Sequence, residues 1–302
     1  MHSFSDDAIA PRMRLAIGIP TSRRPSVLAE TLHEITHQTR KPDRVIVCAT
    51  DQSDVEIQTS APQGIEVIFA SPGLPHQRNL ILDKLDDCDI VLFLDDDFLM
   101  GPRYVENTLA ALQSHSDLVA TTGVTIADGS RGPGISVEAA RALIAADDIP
   151  GGYDGFEPVP HGYGCNMALR LSTIRQHDVR FDERLPLYAW SEDVDFTHRL
   201  ARHGWIAKIY GARGVHLGTK QGRTPGHRLG YSQVANPIYL FQKGSYSFGR
   251  AARSVGRNLA ANVARSVQPE PYIDRRGRLR GNGLAFLDLL RGRLAPERVL
   301  EL

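Results

Sequence analysis

Three consecutive carboxylates, Asp95, Asp96 and Asp97, follow an unbroken apolar run, Ile90-Val91-Leu92-Phe93-Leu94. At the end of a buried strand they would crowd like charges together, and a divalent cation is the natural compensator. Hard oxygen ligands of this kind suit Mg2+ or Mn2+. Carboxylates are also favoured ahead of a helix, so an acidic capping turn is the other reading. A second acidic group lies in Trp190-Ser191-Glu192-Asp193-Val194-Asp195. There Ser191 is the expected N-cap, which puts Glu192 and Asp193 in the first helical turn. One of these carboxylates, shielded beside Trp190, could act as a general base; a helix N-terminus alone also accounts for acidic residues. His216, in GVHLG, follows an expected strand at residues 206–210 and precedes a glycine-rich stretch, a position open to metal ligation. Weaker candidates are Pro20, Thr21 and Arg23 after the first expected strand, Asp51 after the second, and Arg78 near the start of a helix. Phosphate or sugar oxygens could meet them there.

The elements that must position these residues follow from hydrophobic periodicity. Residues 15–19, 45–49, 66–70 and 90–94 read as short, mostly continuous apolar strands of a buried parallel sheet. Between them, Pro25 suits the first turn of a helix with Leu28, Leu32 and Ile35 on one face. A second helix is expected over residues 77–85, and a third from Pro102 with Val105, Leu109 and Leu112 aligned. This β-α-β-α rhythm marks a doubly wound α/β fold, whose ligands bind outside the carboxyl ends of the strands. Residues 127–165, rich in Gly, Pro and Asp, read as a long excursion over the sheet edge. A helix is expected from Ser191 to a stop at Gly204. Six glycines and Pro225 within residues 211–230 predict a mobile loop. Residues 231–267 then read as helix broken around Pro237.

With 302 residues, 42% hydrophobic and 23% charged, the chain has the composition of a soluble globular protein and can bury a sizeable core. Lys+Arg and Asp+Glu each total 35, so net charge gives no pointer to nucleic acid. The balance is uneven along the chain: from residue 243 onward twelve Lys/Arg face five Asp/Glu. Within this basic part Arg250, Arg253 and Arg257 share a helical face, with Val255, Leu259 and Val263 broadly opposite. Such a helix suits peripheral contact with an anionic membrane, or plain packing with its basic side in water. No apolar run reaches the roughly 18–20 residues that a membrane span needs. Asp6 and Asp7 stand where a secretory leader would be basic and then apolar. Cys48, Cys88 and Cys165, odd in number and widely spaced, suit neither a disulfide framework nor a zinc site. The expected location is cytoplasmic, at most peripheral on the cytoplasmic face of a membrane.

Taken in order, IGIPTSRRPSVLAETL, VIVCATDQSD, SPGLPHQRNLIL, VLFLDDDFLMGP, GYGCNMALR, DERLPLYAWSEDVDFTHRLARHGW and GVHLG resemble the family 2 glycosyltransferases of GT-A fold, over about residues 14–218. The resemblance implies a nucleoside diphosphate-sugar donor, a divalent metal (Mn2+ or Mg2+), and transfer to an acceptor hydroxyl with inversion. By position, Thr21 and Asp51 match the places that hold the nucleotide base and ribose, and Arg78 matches an arginine near the base and phosphates. Asp95, Asp96 and Asp97 match the motif that holds the metal and the donor ribose, Asp97 foremost for the metal. Asp193 matches the catalytic base, Glu192 its neighbour that places the acceptor, and His216 a further metal ligand. Lys220, Arg223 and His227 would sit on a lid over the diphosphate.

The Gln-x-x-Arg-Trp motif of processive members is absent after Glu192-Asp193, where the chain reads Thr197-His198-Arg199-Leu200. With no membrane-spanning run, this favours transfer of single sugars to a glycan or lipid-linked acceptor. The second strand ends in ATDQSD, where many members have a paired Asp before the Ser. The division expected is a tail at residues 1–13, a catalytic domain at 14–230 with donor half 14–126 and acceptor half 127–230, and a helical basic C-terminal extension at 231–302. Rival readings are a phosphohydrolase of the haloacid dehalogenase type, which also ends a strand in Asp-x-Asp, and an inactive nucleotide-binding scaffold. Leu99 stands where the phosphohydrolase motif carries Thr or Val. A sugar-nucleotide pyrophosphorylase would need a Gly-rich basic loop in place of Pro20-Thr21-Ser22.

Overall fold

The computed structural model describes residues 12–55, 64–149 and 152–302; most of the expected N-terminal tail, residues 1–11, lies outside them. The apolar runs form β1 (Leu15–Pro20), β2 (Arg44–Ala49), β3 (Ile65–Phe69) and β4 (Ile90–Leu94), joined by α1 (Pro25–Ile35) and α2 (Leu74–Leu82). Then come β5 (Phe98–Met100), α3 (Tyr104–Ser114), β6 (Leu118–Asp128), α4 (Val137–Asp147), β7 (Phe156–Pro158), β8 (Asn166–Arg170) and α5 (Leu171–Gln176). The catalytic candidates lie on or beside α6 (Glu192–Leu200) and β9 (Trp205–His216), and α7 (Gly226–Lys243), α8 (Phe248–Arg265) and α9 (Arg275–Leu290) complete the chain.

One sheet runs β3-β2-β1-β4-β8-β6-β9-β5, with β7 also on β9. β1, β2, β3, β4, β6 and β9 point one way, while β5, β7 and β8 run against them. Alternation along β1 sends Leu15, Ile17 and Ile19 to the α1 and α3 side, where Leu28, Leu32, Ile35, Leu109 and Leu112 pack. Ala16, with Val91 and Phe93 of β4, faces α2, α5 and α6 through Ile81, Ile174, Phe196 and Leu200. Both faces are therefore covered, which is why β1 and β4 are apolar at every position.

Several sequence expectations change here. α2 begins at Leu74 rather than Gln77, because Pro75 is at home in a first turn. The excursion at 127–165 contains the end of β6, α4 and β7. Residues 211–216 are strand rather than mobile loop, leaving residues 217–225 between β9 and α7. Gly211 and Gly214 are there for close approach: a Cβ at Gly214 would strike the Leu99 carbonyl, and one at Gly211 the Tyr153 carbonyl. Helix α7 runs through Pro237, and the break falls instead at Gly244, a left-handed C-cap at φ 87°.

The C-terminal helices are fastened to α6. Asp195, with no solvent exposure, accepts from Lys243 Nζ at 2.9 Å, from Arg199 Nη2 at 2.9 Å and from the Ser245 hydroxyl. A buried carboxylate requires such partners. Within the bundle, α7 and α9 meet at glycines: a Cβ at Gly230 would strike the Arg278 backbone, and one at Gly281 the His227 carbonyl. No helix among the described residues is long and apolar enough to cross a membrane.

Candidate active site

The register of the sheet assembles the acidic centre. Asp95–Asp97 turn the chain from β4 into β5, and the Asp97 carbonyl accepts from Leu217 N at 2.9 Å. His216 is paired with Phe98 of β5 on one side and with Asp128 of β6 on the other. Three candidate ligand atoms, from Asp95, Asp97 and His216, consequently lie within 4.8 Å of one another. His216 Nε2 is 3.3 Å from Asp97 Oδ1 and 3.9 Å from Asp95 Oδ2, while Nδ1 is 2.9 Å from Asp128 Oδ1. Two carboxylates and an imidazole nitrogen fit a divalent ion such as Mn2+ or Mg2+. The Asp128 bond at Nδ1 supports that fit, because it leaves Nε2 as the ligand atom on the carboxylate side.

Charge in this centre is balanced by contact rather than by water. Burial opposes a proton on His216, but Asp128, Asp97 and Asp95 together raise its pKa to about 10. Burial likewise pushes Asp97 up, but bonding to His216 and the Arg24 charge outweigh it and hold it at about 2. Asp128 was not foreseen, because β6 itself was not foreseen; a carboxylate closing a strand was the only available signal. Tyr163 donates its hydroxyl to the other Asp128 oxygen at 3.0 Å. Asp128 orients the histidine and raises its basicity, which would strengthen it as a ligand to a metal. Asp128→Asn should therefore weaken Mn2+ affinity by about 10- to 100-fold, read by calorimetry. Unchanged affinity would leave Asp128 a loop-shaping residue only.

Asp96 points away from this trio. It accepts from the Thr21 hydroxyl at 2.8 Å and from Arg24 at 3.0 Å, and burial lifts its pKa to about 7. Thr21 is itself buried, and Gln77 donates to its carbonyl at 3.0 Å. Arg23 has a left-handed φ of 59°, and its N–H donates to Asp54 Oδ1 at 2.5 Å. Asp54, also unforeseen, accepts from Thr50 and Asp51 as well. It ties the turn after β1, which begins at Pro20, to the end of β2. Asp51 is exposed beside that turn, capping Ser53.

The second acidic group reaches the first through Arg78. This guanidinium has no exposure; it pairs with Glu192, donates to the Gly164 carbonyl at 2.7 Å and lies 3.5 Å from Asp95 Oδ1. The rings of Phe93 and Phe181 lie 5.5 and 5.4 Å from its central carbon. Burial pushes the Glu192 carboxyl up to about 8 against the pull of Arg78. Glu192 Oε2 and Arg78 Nε are buried without partners among the described residues. Asp193 is half-buried, and its Oδ2 accepts from Gly164 N at 2.9 Å. Ser191 does not cap α6: its φ is 72°, and an N-cap needs extended backbone to aim its hydroxyl at the first turn. Leu187 and Ala189 are also left-handed, a strained approach of the kind found at functional sites. It is held by Leu74 N on the Leu187 carbonyl at 2.9 Å and by Asn236 Nδ2 on the Trp190 carbonyl at 3.1 Å.

Between β9 and α7, Thr219 N donates to Asp97 Oδ2 at 2.8 Å, placing this segment against the acidic centre. Lys220 Nζ donates to the Gly129 and Ser130 carbonyls, and Arg223 to those of Gly218 and Thr219. Both side chains bond only to neutral acceptors among the described residues. Burial, with the Arg223 charge nearby, lowers the Lys220 pKa to about 8.

The family model described as glycosyl transferase family 2 matches residues 16–176. No curated protein is significantly similar in sequence. Among solved structures, the mannosyltransferase PcManGT of Pyrobaculum calidifontis, in complex with GDP-Man and Mn2+, aligns with a TM-score of 0.54 at 15% identity, over 96% of this chain and 86% of its own. S. aureus TarS aligns at 0.53 and 15% identity, over 86% of this chain and 46% of its own, so the chain spans about half of TarS. GalNAc-T7 with UDP, GalNAc and Mn2+ aligns at 0.55 and 12% identity, over 96% of this chain and 56% of its own. At these identities the neighbours establish the GT-A fold.

Proposed function

Because the chain belongs to glycosyl transferase family 2, we propose that it moves one sugar from a nucleoside diphosphate-sugar to an acceptor hydroxyl, with inversion at the anomeric carbon. Family membership sets the phosphohydrolase reading aside. One observation carries the proposal: Arg78 and Gly164 hold the Glu192–Asp193 pair against Asp95 of the metal-fitting trio. A proton acceptor and a cation site are thus braced together at the strand ends, where α/β folds bind ligands.

In this reading Asp95, Asp97 and His216 hold Mn2+ or Mg2+. When bound, the ion supplies Lewis-acid stabilisation of the charge that develops on the departing diphosphate. Asp193 takes the proton of the acceptor hydroxyl as that oxygen bonds to the anomeric carbon, and the bond from that carbon to the diphosphate oxygen breaks in the same displacement. Glu192, braced by Arg78, is the neighbour that helps to place the acceptor, and Asp193 is held at the first turn of α6 by the Gly164 N–H. Asp51 and the turn at Pro20, Thr21 and Arg23 bind the nucleoside, with Asp96 and Arg78 as buried supports. Lys220 and Arg223 meet the diphosphate. An open cleft of about 510 Å3, bordered by Thr122, Asp128, Tyr163 and Lys208, gives a glycan or lipid-linked acceptor an approach.

The test is calorimetric titration with UDP, GDP, dTDP and CDP, each with and without Mn2+. Metal-dependent binding of one of them is expected and identifies the donor class; a folded protein that binds none refutes the reading. Peripheral membrane contact is part of the same proposal. Arg253 and Arg257 are exposed on α8, whereas Arg250 lies over the Tyr246 ring at 4.7 Å. Arg253→Glu with Arg257→Glu should reduce co-sedimentation with anionic vesicles, and unchanged partitioning removes this part.

A further inference from the structure

The C-terminal bundle bears a cation that no ion pair neutralises among the described residues. Arg278, on the first turns of α9, has a buried Nε without a partner, and its guanidinium makes no hydrogen bond or ion pair among the described residues. Its neighbour Arg275 is the contrast: it pairs with Glu270 at 2.8 Å and bonds Asn262. Arg278 is placed rigidly, since Gly230 of α7 packs on its backbone and the Asp274 side chain caps the Gly277 N–H at 2.7 Å. This end of α9 leans on the segment after β9, where Lys220 Nζ lies 5.5 Å from the Tyr272 ring. Burial first, then the charges of Arg275 and Arg223, lower the Arg278 pKa. Burial also lowers that of Arg223. Three half-buried cations, Lys220, Arg223 and Arg278, thus lie near enough to repel one another. None forms an ion pair among the described residues, the nearest carboxylates, Asp97, Asp128 and Asp274, being engaged elsewhere. Folding does not gather like charges out of water without return, and an anion is what their arrangement lacks.

We infer that Arg278 completes a phosphate clamp with Arg223 and Lys220, so that α9 of the C-terminal bundle forms one wall of the active site. The clamp takes phosphate or diphosphate. Planar guanidinium forks suit its oxygens, and Thr219 ties the Lys220–Arg223 segment to Asp97. Two sources share that chemistry: the diphosphate of the donor and a phosphate carried by the acceptor. The glycosyltransferase reading supplies these sources, but the clamp itself rests on Arg278 and its surroundings.

The experiment titrates inorganic pyrophosphate into the full-length protein, alone and after saturation with the nucleoside diphosphate that wild type binds, metal in excess. Arg278→Gln removes no internal partner and should leave Tm unchanged while weakening pyrophosphate about 10- to 100-fold. Affinity for the corresponding nucleoside, which lacks phosphates, should not move. Arg278→Lys should restore part of the loss, and it carries the test if the glutamine variant does not fold. Pyrophosphate binding abolished by bound nucleotide assigns the clamp to the donor. Binding that persists, and still needs Arg278, assigns it to a phosphate on the acceptor. Equal pyrophosphate affinity in wild type and in folded variants overturns the clamp. A wild type that binds pyrophosphate in an Arg278-dependent way but no nucleotide supports the clamp and removes the glycosyltransferase reading instead.

Discussion

Asp193→Asn should lower kcat by about 100- to 10,000-fold, the usual contribution of a positioned general base, while leaving nucleotide affinity unchanged. Asparagine keeps an oxygen for the Gly164 N–H, which Asp193 Oδ2 now accepts at 2.9 Å. The Gly164 segment therefore stays in place, whereas the amide nitrogen replaces the Oδ1 that accepts from Val194 N at 2.8 Å, so a small loss of stability at the start of α6 accompanies the loss of the ability to take a proton. Single-turnover assays with the donor identified by titration measure it, with KM for that donor as the control. A fall in donor affinity equal to the fall in kcat would make Asp193 a structural residue of α6 and leave the base unidentified. Glu192 is the less suitable base: its Oε1 is engaged by Arg78, and both side chains are buried.

The second large effect is expected at Asp97. Asp97→Asn should abolish the Mn2+-dependent part of nucleotide binding, a loss of more than about 100-fold in metal affinity if ligating residues matter at least as much as the groups that orient them. Asparagine retains an oxygen for Thr219 N, which Asp97 Oδ2 accepts at 2.8 Å, so the segment bearing Lys220 and Arg223 keeps its anchor. It also removes one negative charge from beside Asp95 and Asp96, where like charges repel. The Asp97 charge is nonetheless net favoured in the fold, since His216 and Arg24 hold its pKa at about 2, so some stability should be lost while metal binding falls. Calorimetric titration of Mn2+, with thermal unfolding alongside, checks both. Unaltered Mn2+ affinity in Asp97→Asn would move the cation site elsewhere. The Asp128→Asn titration separates ligation from orientation, since only the graded, smaller loss is expected there.

Local patterning in the sequence determined the first part of the sheet, from β1 to β4. Continuous apolar runs require two covered faces, so the first four parallel strands, the helices between them and the carboxylates at their ends were legible at once. The Glu192–Asp193 pair at a helix start and His216 after a strand were legible for the same reason. Other features depend on partners far away in the chain, and no local period encodes them. β5 and β8 are short and antiparallel, paired with β9 and β4 respectively. The Asp128–His216 contact exists only because β6 and β9 share a register. Gly211 and Gly214 read as loop residues until close backbone contacts account for them. Pro237 reads as a break until the packed bundle carries helix through it. Arg78 reads in the sequence as a helix-start contact for phosphate or sugar oxygens, and the tertiary structure buries it between two acidic groups. Arg278 was one more arginine in a basic tail. Only the docking of α9 on α7 decides that it stands near Arg223 without an ion pair among the described residues, because net charge adds over a sequence whereas electrostatic energy depends on distance and burial.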